Sequence, residues 1–203
     1  MSVEHPVVFL VDDDASFLAA VTRLLRAGGY LVKAFASADD FVSASIPDSP
    51  GCIIADLQMP MMSGLEFQDV LDQAGCLLPV IFLTGQGDIP TSVHAMRQGA
   101  EDFLTKPVKK DELFEAVQRA LARNARERKA HSKQRELRAL FETLTPRERE
   151  VLAHVVTGQL NKQIAGDLDT SERTIKAHRA SLMAKLQVQS VAELVRLAQT
   201  LGI

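Results

Sequence analysis

Val7-Val8-Phe9-Leu10-Val11-Asp12-Asp13-Asp14-Ala15-Ser16-Phe17-Leu18 passes from an unbroken apolar run, through three successive carboxylates, into a helical pattern. Five consecutive apolar residues suit a strand covered on both faces, the kind that builds a parallel sheet. Downstream, Phe17, Leu18, Val21, Leu24 and Leu25 fall on one helix face, and Gly28-Gly29 stops that helix. The same beat recurs through the first half of the chain. Leu31 to Phe35, Cys52 to Ala55, Pro79 to Leu83 and the shorter Phe103-Leu104 are further strand candidates. Between and after them, helices are predicted from Ser37 to about Ser45, through Leu65 to Leu71, from Pro90 to Gln98, and from near Asp111 with Leu113, Val117 and Leu121 on one face. Five such units predict an α/β domain with five parallel strands and helices on both sides.

The C-terminal ends of the strands in an open parallel sheet share one edge, and ligands bind there. Asp12, Asp13, Asp56, Thr84 and Lys106 each stand at or just past such an end, so one crevice should gather three carboxylates, a hydroxyl and an ammonium. Crowded carboxylates repel unless a cation joins them, and oxygen donors favour Mg²⁺ or the similar Mn²⁺. A hard ion that retains sites for phosphate oxygens points to phosphoryl chemistry, with an aspartate able to act as the nucleophile. No G-x-x-x-x-G-K-[ST] stretch occurs, so the phosphoryl group must arrive from elsewhere. Asp14, by strand alternation, should point away from Asp12's partner position.

Charge divides the chain. Through Ala122 there are 8 basic and 17 acidic residues, and from Arg123 onward 15 basic and 9 acidic. A basic C-terminal half suits a polyanionic partner, although a solvated surface would have the same composition. Two cysteines without metal-type spacing fit a reducing compartment, no apolar stretch approaches membrane-spanning length, and the first residues lack a basic secretory start; a cytoplasmic protein without membrane contact is expected.

The segment 122–140 is rich in charged helix formers and free of Pro and Gly, so it reads as a helical linker between a domain at 1–121 and another at 141–203. Thr145-Pro146-Arg147-Glu148 then carries the pattern of a capping box. Helices from about Asn161 to Leu168 and Ser171 to Leu186, joined by a turn, fit a helix-turn-helix at about 161–186, and a last helix runs from about Ser190 to Leu201. In the second of the pair, Ile175, Leu182 and Leu186 should face inward, with Lys176, Arg179, Ala180 and Met183 opposite.

These residues resemble a known family. Val11-Asp12-Asp13-Asp14, Asp56-Leu57-Gln58-Met59-Pro60 with Ser63-Gly64, Leu83-Thr84-Gly85 and Gly99 to Pro107 are similar to the receiver domain of two-component response regulators. Leu144 to Leu152, Asn161-Lys162-Gln163-Ile164-Ala165 and Thr174 to Arg179 are similar to the LuxR-type helix-turn-helix, and the combination resembles the FixJ branch of the NarL/LuxR family. The resemblance implies a flavodoxin-like receiver in which Asp56 accepts a phosphoryl group from a sensor histidine kinase. It implies Mg²⁺ on Asp13, Asp56 and the backbone carbonyl of Gln58, with Asp12 acting through the metal's water shell. Lys106 would pair with the phosphoryl charge, Thr84 and Phe103 would be the switch pair, the Lys106-Pro107 bond would be cis, and Gln58 and Gln86 would influence the lifetime of the acyl phosphate. Lys162, Arg173, Thr174, Lys176, Ala177, Arg179 and Ala180 would face promoter DNA. On phosphorylation a homodimer would form through Val93, Met96, Arg97 and Asp102, and the protein would act on RNA polymerase as a transcription activator rather than as an enzyme.

Two other readings compete at this point. An aspartate-nucleophile phosphohydrolase also uses Mg²⁺, Thr and Lys, but it needs an acid two residues past the nucleophile, where this chain has Gln58. A receiver that binds partners without phosphorylation would not need all five strand-end residues.

Overall fold

The computed structural model describes residues 5–44, 48–85 and 95–203. It forms two compact units, Met1–Arg128 and Lys129–Ile203. In the first, β1 (Val7–Val11), β2 (Leu31–Phe35), β3 (Gly51–Asp56), β4 (Val80–Thr84) and β5 (Asp102–Thr105) make one sheet in the order β2-β1-β3-β4-β5. Every neighbouring pair is parallel. Around it lie α1 (Ala15–Ala27), α2 (Ala38–Ser43), α3 (Gly64–Gln73) and the start of α4 (Lys110–Glu142). The expected helix from Pro90 to Gln98 falls partly outside the described residues, as do Gln86 and Val93; its described part is helical at 95–97.

Alternation along the strands builds two cores. Phe9, Val11, Ile53, Ala55 and Phe82 pack with Phe41 of α2 and Phe67 of α3. Phe41 is central there, meeting Phe9, Phe35 and Phe67 edge to face at 5.6, 5.2 and 5.4 Å between ring centroids. On the opposite face Val8, Leu10, Ile54, Ile81 and Leu83 pack with Val21 and Leu25 of α1 and with Leu113 and Val117 of α4. Both faces of β3 and β4 are thus dry, which is why their sequences are apolar without alternation.

The strand order reverses at β1, which has β2 on one side and β3 on the other, so the crevice opens beside the ends of β1 and β3. Gly64 lets α3 begin hard against that edge: a Cβ there would lie 2.8 Å from the Asp56 carbonyl oxygen and 2.9 Å from the Phe82 ring.

The apolar face of α4 fades near Ala122, yet the first unit continues to Arg128. Asn124, only 1 % exposed, explains the extension. Its Oδ1 accepts from the Gly51 amide at 3.0 Å and its Nδ2 donates to the Leu77 carbonyl at 2.6 Å. Arg128 adds an ion pair to Asp48 at 2.9 Å. Asn124→Ala leaves two backbone groups without their partner and is expected to destabilise this unit by about 2–4 kcal/mol. A lower urea midpoint with an unchanged slope would register it, whereas an unchanged midpoint would mean that solvent replaces the amide at no loss.

In the second unit, α5 (Pro146–Val156), α6 (Asn161–Asp167), α7 (Glu172–Lys185) and α8 (Val191–Leu201) enclose Val151, Leu152, Val155, Ile164, Ile175, Leu182, Leu186 and Leu194. Leu137, Leu140 and Phe141 from the end of α4 pack on the same cluster. The expected capping box is present: Thr145 Oγ1 accepts from the Glu148 amide and Glu148 accepts from the Thr145 amide.

Candidate functional site

Each polar residue at the sheet edge is placed by the strand before it. Asp12 follows β1 and is fully buried; Asp56 ends β3 and is 8 % exposed; Thr84 ends β4 and is fully buried. Asp13 faces solvent. Carboxylate oxygens of Asp12, Asp13 and Asp56 all lie within 4.8 Å of one another. Lys106, one residue past β5, reaches across the sheet and donates to Asp12 Oδ2 at 2.6 Å and Asp56 Oδ2 at 2.7 Å. The Lys106-Pro107 peptide is cis, and the Lys106 amide donates to the Thr84 carbonyl at 2.7 Å.

Burial pushes the Asp12 carboxyl above its ordinary value despite the opposing pull of Lys106. Burial also acts to lower Lys106, but its hydrogen bonds to Asp12 and Asp56 outweigh that and raise it. The ammonium is therefore a fixed positive charge beside a carboxyl whose burial favours the neutral form. The Lys106 Nζ also sits 4.2 Å from the centroid of the Phe17 ring, which partly replaces lost water.

The donor set fits a hard divalent ion. Asp12 Oδ1 accepts from the Asp14 amide and Asp56 Oδ1 from the Gln58 amide, at 3.0 and 3.1 Å, which orients both carboxylates. Each carboxylate keeps lone pairs beyond those used, and exposed Asp13 leaves an open side for water or phosphate oxygens.

Phe103 is half-buried and packs on the core cluster containing Phe82, Ala95 and Ala100. Met96 and Arg97 are exposed, as a surface role requires. Asp102 is already engaged: it pairs with Arg119 and accepts from the Phe103 amide at 2.8 Å.

On α7, Arg173, Lys176, Ala177 and Ala180 are exposed, as is Lys162 on α6. Among the described residues Lys162, Arg173 and Lys176 have no ion-pair partner, so their charge is available to an external anion. Arg179 is half-buried and donates to Asn161 Oδ1 at 2.7 Å. Thr174 is half-buried in the cap of α7, its hydroxyl 2.9 Å from Ser171 Oγ. Met183, expected opposite the core, instead straddles the boundary and packs against the buried cluster, because its position on the helix lies beside Leu182.

Several participants do more than their local sequence indicates. Asp14 is the N-cap of α1, accepting from the Ser16 and Phe17 amides at 2.8 and 3.1 Å; an Asp just before a helical run was the available signal. Phe17 was visible only as a helix-face residue. Glu148 was visible only as a cap, yet it is 4 % exposed and also accepts from Ser181 Oγ at 2.6 Å and Lys185 Nζ at 2.7 Å. Nothing local signals partners that lie two helices away.

A parallel α/β unit with an acidic, lysine-bridged crevice and a second unit with a basic helix-turn-helix define a two-domain, DNA-binding class of regulator. Comparison with known families agrees. Residues 8–118 match the response regulator receiver domain and residues 142–198 match the bacterial regulatory proteins of the luxR family. The chain belongs to the response regulator family, with a receiver domain and a LuxR-type DNA-binding domain. It is 43% identical to nodulation protein W of Bradyrhizobium diazoefficiens over 97% of this chain and 87% of that protein. It is 39% identical to the transcriptional regulatory protein FixJ of Azorhizobium caulinodans, covering 97% and 93% of the two chains. Among solved structures, response regulator StyR matches at a TM-score of 0.86 and 42% identity, covering 96% of this chain and 98% of that one. No described helix is long and apolar enough to cross a membrane.

Proposed function

We propose that this response regulator is a phosphorylation-dependent transcription activator, with Asp56 as acceptor of a phosphoryl group from a sensor histidine kinase. The observation that carries the reading is the Lys106 ammonium held between Asp12 and Asp56 beside the Asp13 carboxylate. An Asp56 oxygen attacks phosphorus, an O–P bond forms as the N–P bond of the phosphohistidine breaks, and the imidazole leaves. Lys106 remains to pair with the added oxygens, and Thr84 donates a hydrogen bond to one of them. Asp13, Asp56 and the Gln58 carbonyl, with Asp12 through the water shell, would hold Mg²⁺ or Mn²⁺, which would supply charge neutralisation on the phosphoryl oxygens. Gln58 offers no acid to a leaving group, which favours a persistent acyl phosphate over hydrolytic turnover.

The receiver domain takes in residues 1–121, the segment 122–140 is a helical linker and residues 141–203 are the DNA-binding module; Asn124 and Arg128 tie the start of that linker to the first unit. Thr84 and Phe103 form the switch pair; phosphorylation favours a homodimer through Met96, Arg97 and Asp102, with Val93 beyond the described residues. The dimer places two copies of α7 on cytoplasmic promoter DNA, where RNA polymerase is the final partner. Arg173, Thr174, Lys176, Ala177, Arg179 and Ala180 face the bases and backbone, and Lys162 a phosphate. Light scattering and DNA binding test this together. A small phosphodonor with Mg²⁺ is expected to double the mass and tighten binding to selected duplexes by about tenfold or more; an unchanged mass and affinity at full phosphorylation would refute it.

A further inference from the structure

Among the described residues, six helices begin on a residue whose side chain accepts a backbone N–H: Asp14, Ser37, Ser63, Thr145, Ser171 and Ser190. At the start of α6 that position is Leu160, which has no acceptor and is 70 % exposed. The other half of the cap is in place, since Gln163 Oε1 accepts from the Leu160 amide at 2.8 Å. Leucine here forgoes a capping bond and leaves an isobutyl group in water, two local losses with no packing gain. Departures of this kind concentrate at functional positions.

Leu160 lines an open concavity of about 440 Å³ with Asn161, Lys176, Arg179, Ala180 and Met183. The lining thus combines two cations, Lys176 and Arg179, with apolar Leu160, Ala180 and Met183, and the Arg179 guanidinium donates to Asn161 Oδ1. Such a lining suits an anionic occupant that also presents an apolar group. Among the base edges in a DNA major groove, the one apolar group is the 5-methyl of thymine.

We propose that Leu160 is a specificity-determining residue that packs on a thymine methyl group in the target DNA. The inference rests on the DNA-binding reading above and adds a residue outside the recognition helix.

The test begins with the full-length, phosphorylated protein and selection from random duplexes. Each thymine of the selected site is then replaced by uracil, which removes only the methyl group. The wild type is expected to bind about fifteenfold more weakly for one such replacement in each half-site, about fourfold for each of the two buried methyls. Leu160→Ala and Leu160→Ser should bind the thymine target more weakly by a similar factor and be indifferent to that replacement. Leu160→Ser restores a capping oxygen and should match or exceed the wild-type thermal midpoint, which separates lost contact from lost fold. The proposal is overturned if both variants bind like the wild type, or if all three proteins respond alike to every uracil. Failure of the wild type to enrich any sequence would instead refute DNA binding itself, and this inference with it.

Discussion

Asp56→Asn is expected to abolish phosphoryl uptake while leaving the receiver folded. Intact mass after incubation with a small phosphodonor and Mg²⁺ should show one phosphoryl group on the wild type and none on the variant. The carboxamide is nearly isosteric, but its oxygen is neutral and a poor nucleophile. Lys106 keeps its 2.6 Å bond to Asp12, so the ammonium stays paired and the sheet edge should survive. Asp13→Asn should retain the nucleophile but slow uptake strongly, because it weakens the metal-binding set. Gain of one phosphoryl group by Asp56→Asn would move the acceptor to another carboxylate, with buried Asp12 and exposed Asp13 as the neighbouring choices. Steady consumption of the donor without stable labelling of the wild type would favour the phosphohydrolase reading.

Glu148→Ala carries the largest expected effect on stability. Burial alone would raise this carboxyl, but Lys185, Ser181 and Thr145 together hold it from an ordinary 4.5 down to about 2. Truncation removes the buried carboxylate's bonds to partly exposed Lys185 and to Ser181 together with half of the α5 cap, a loss of about 3–5 kcal/mol. Far-UV circular dichroism in urea should show the helical second unit unfolding early, and DNA binding should fail on warming. An unchanged urea midpoint would show that the network is redundant. The pH dependence follows from the lowered value. The folded state binds fewer protons at this site than the unfolded chain, so the stabilisation is fully present above about 4.5 and is lost as pH falls toward 2. The shift corresponds to about 3 kcal/mol. Glu148→Gln, which cannot ionise, should be weaker at neutral pH and lack this component of acid sensitivity.

The acidic, lysine-bridged crevice was legible because parallel strands leave a local mark. An apolar run followed by a carboxylate, hydroxyl or ammonium places that group on the ligand-binding edge wherever the strand sits in the sheet. Asp12, Asp13, Asp56, Thr84 and Lys106 could therefore be assembled from four separate segments. The helix boundaries near Thr145, Asn161 and Ser171 were similarly visible, since capping and 3.6-residue periodicity act over only a few positions.

Other features depended on groups brought together by folding. Asn124 belongs to a stretch with linker composition, but its amide meets Gly51 and Leu77, 73 and 47 residues away. Glu148 has a cap partner three residues away and an ammonium partner 37 residues away, and the distant one makes it a structural hub. Leu160 precedes the helix expected from about Asn161, and only the packing of α6 against α7 puts it beside Lys176 and Arg179. Sequence by itself determined the fold class, the family and the acidic, lysine-bearing edge, because short-range periodicity and strand-end chemistry encode them. Tertiary structure decided which polar groups are buried together and which apolar side chain stays exposed among cations, because desolvation and long-range pairing arise only when distant segments pack.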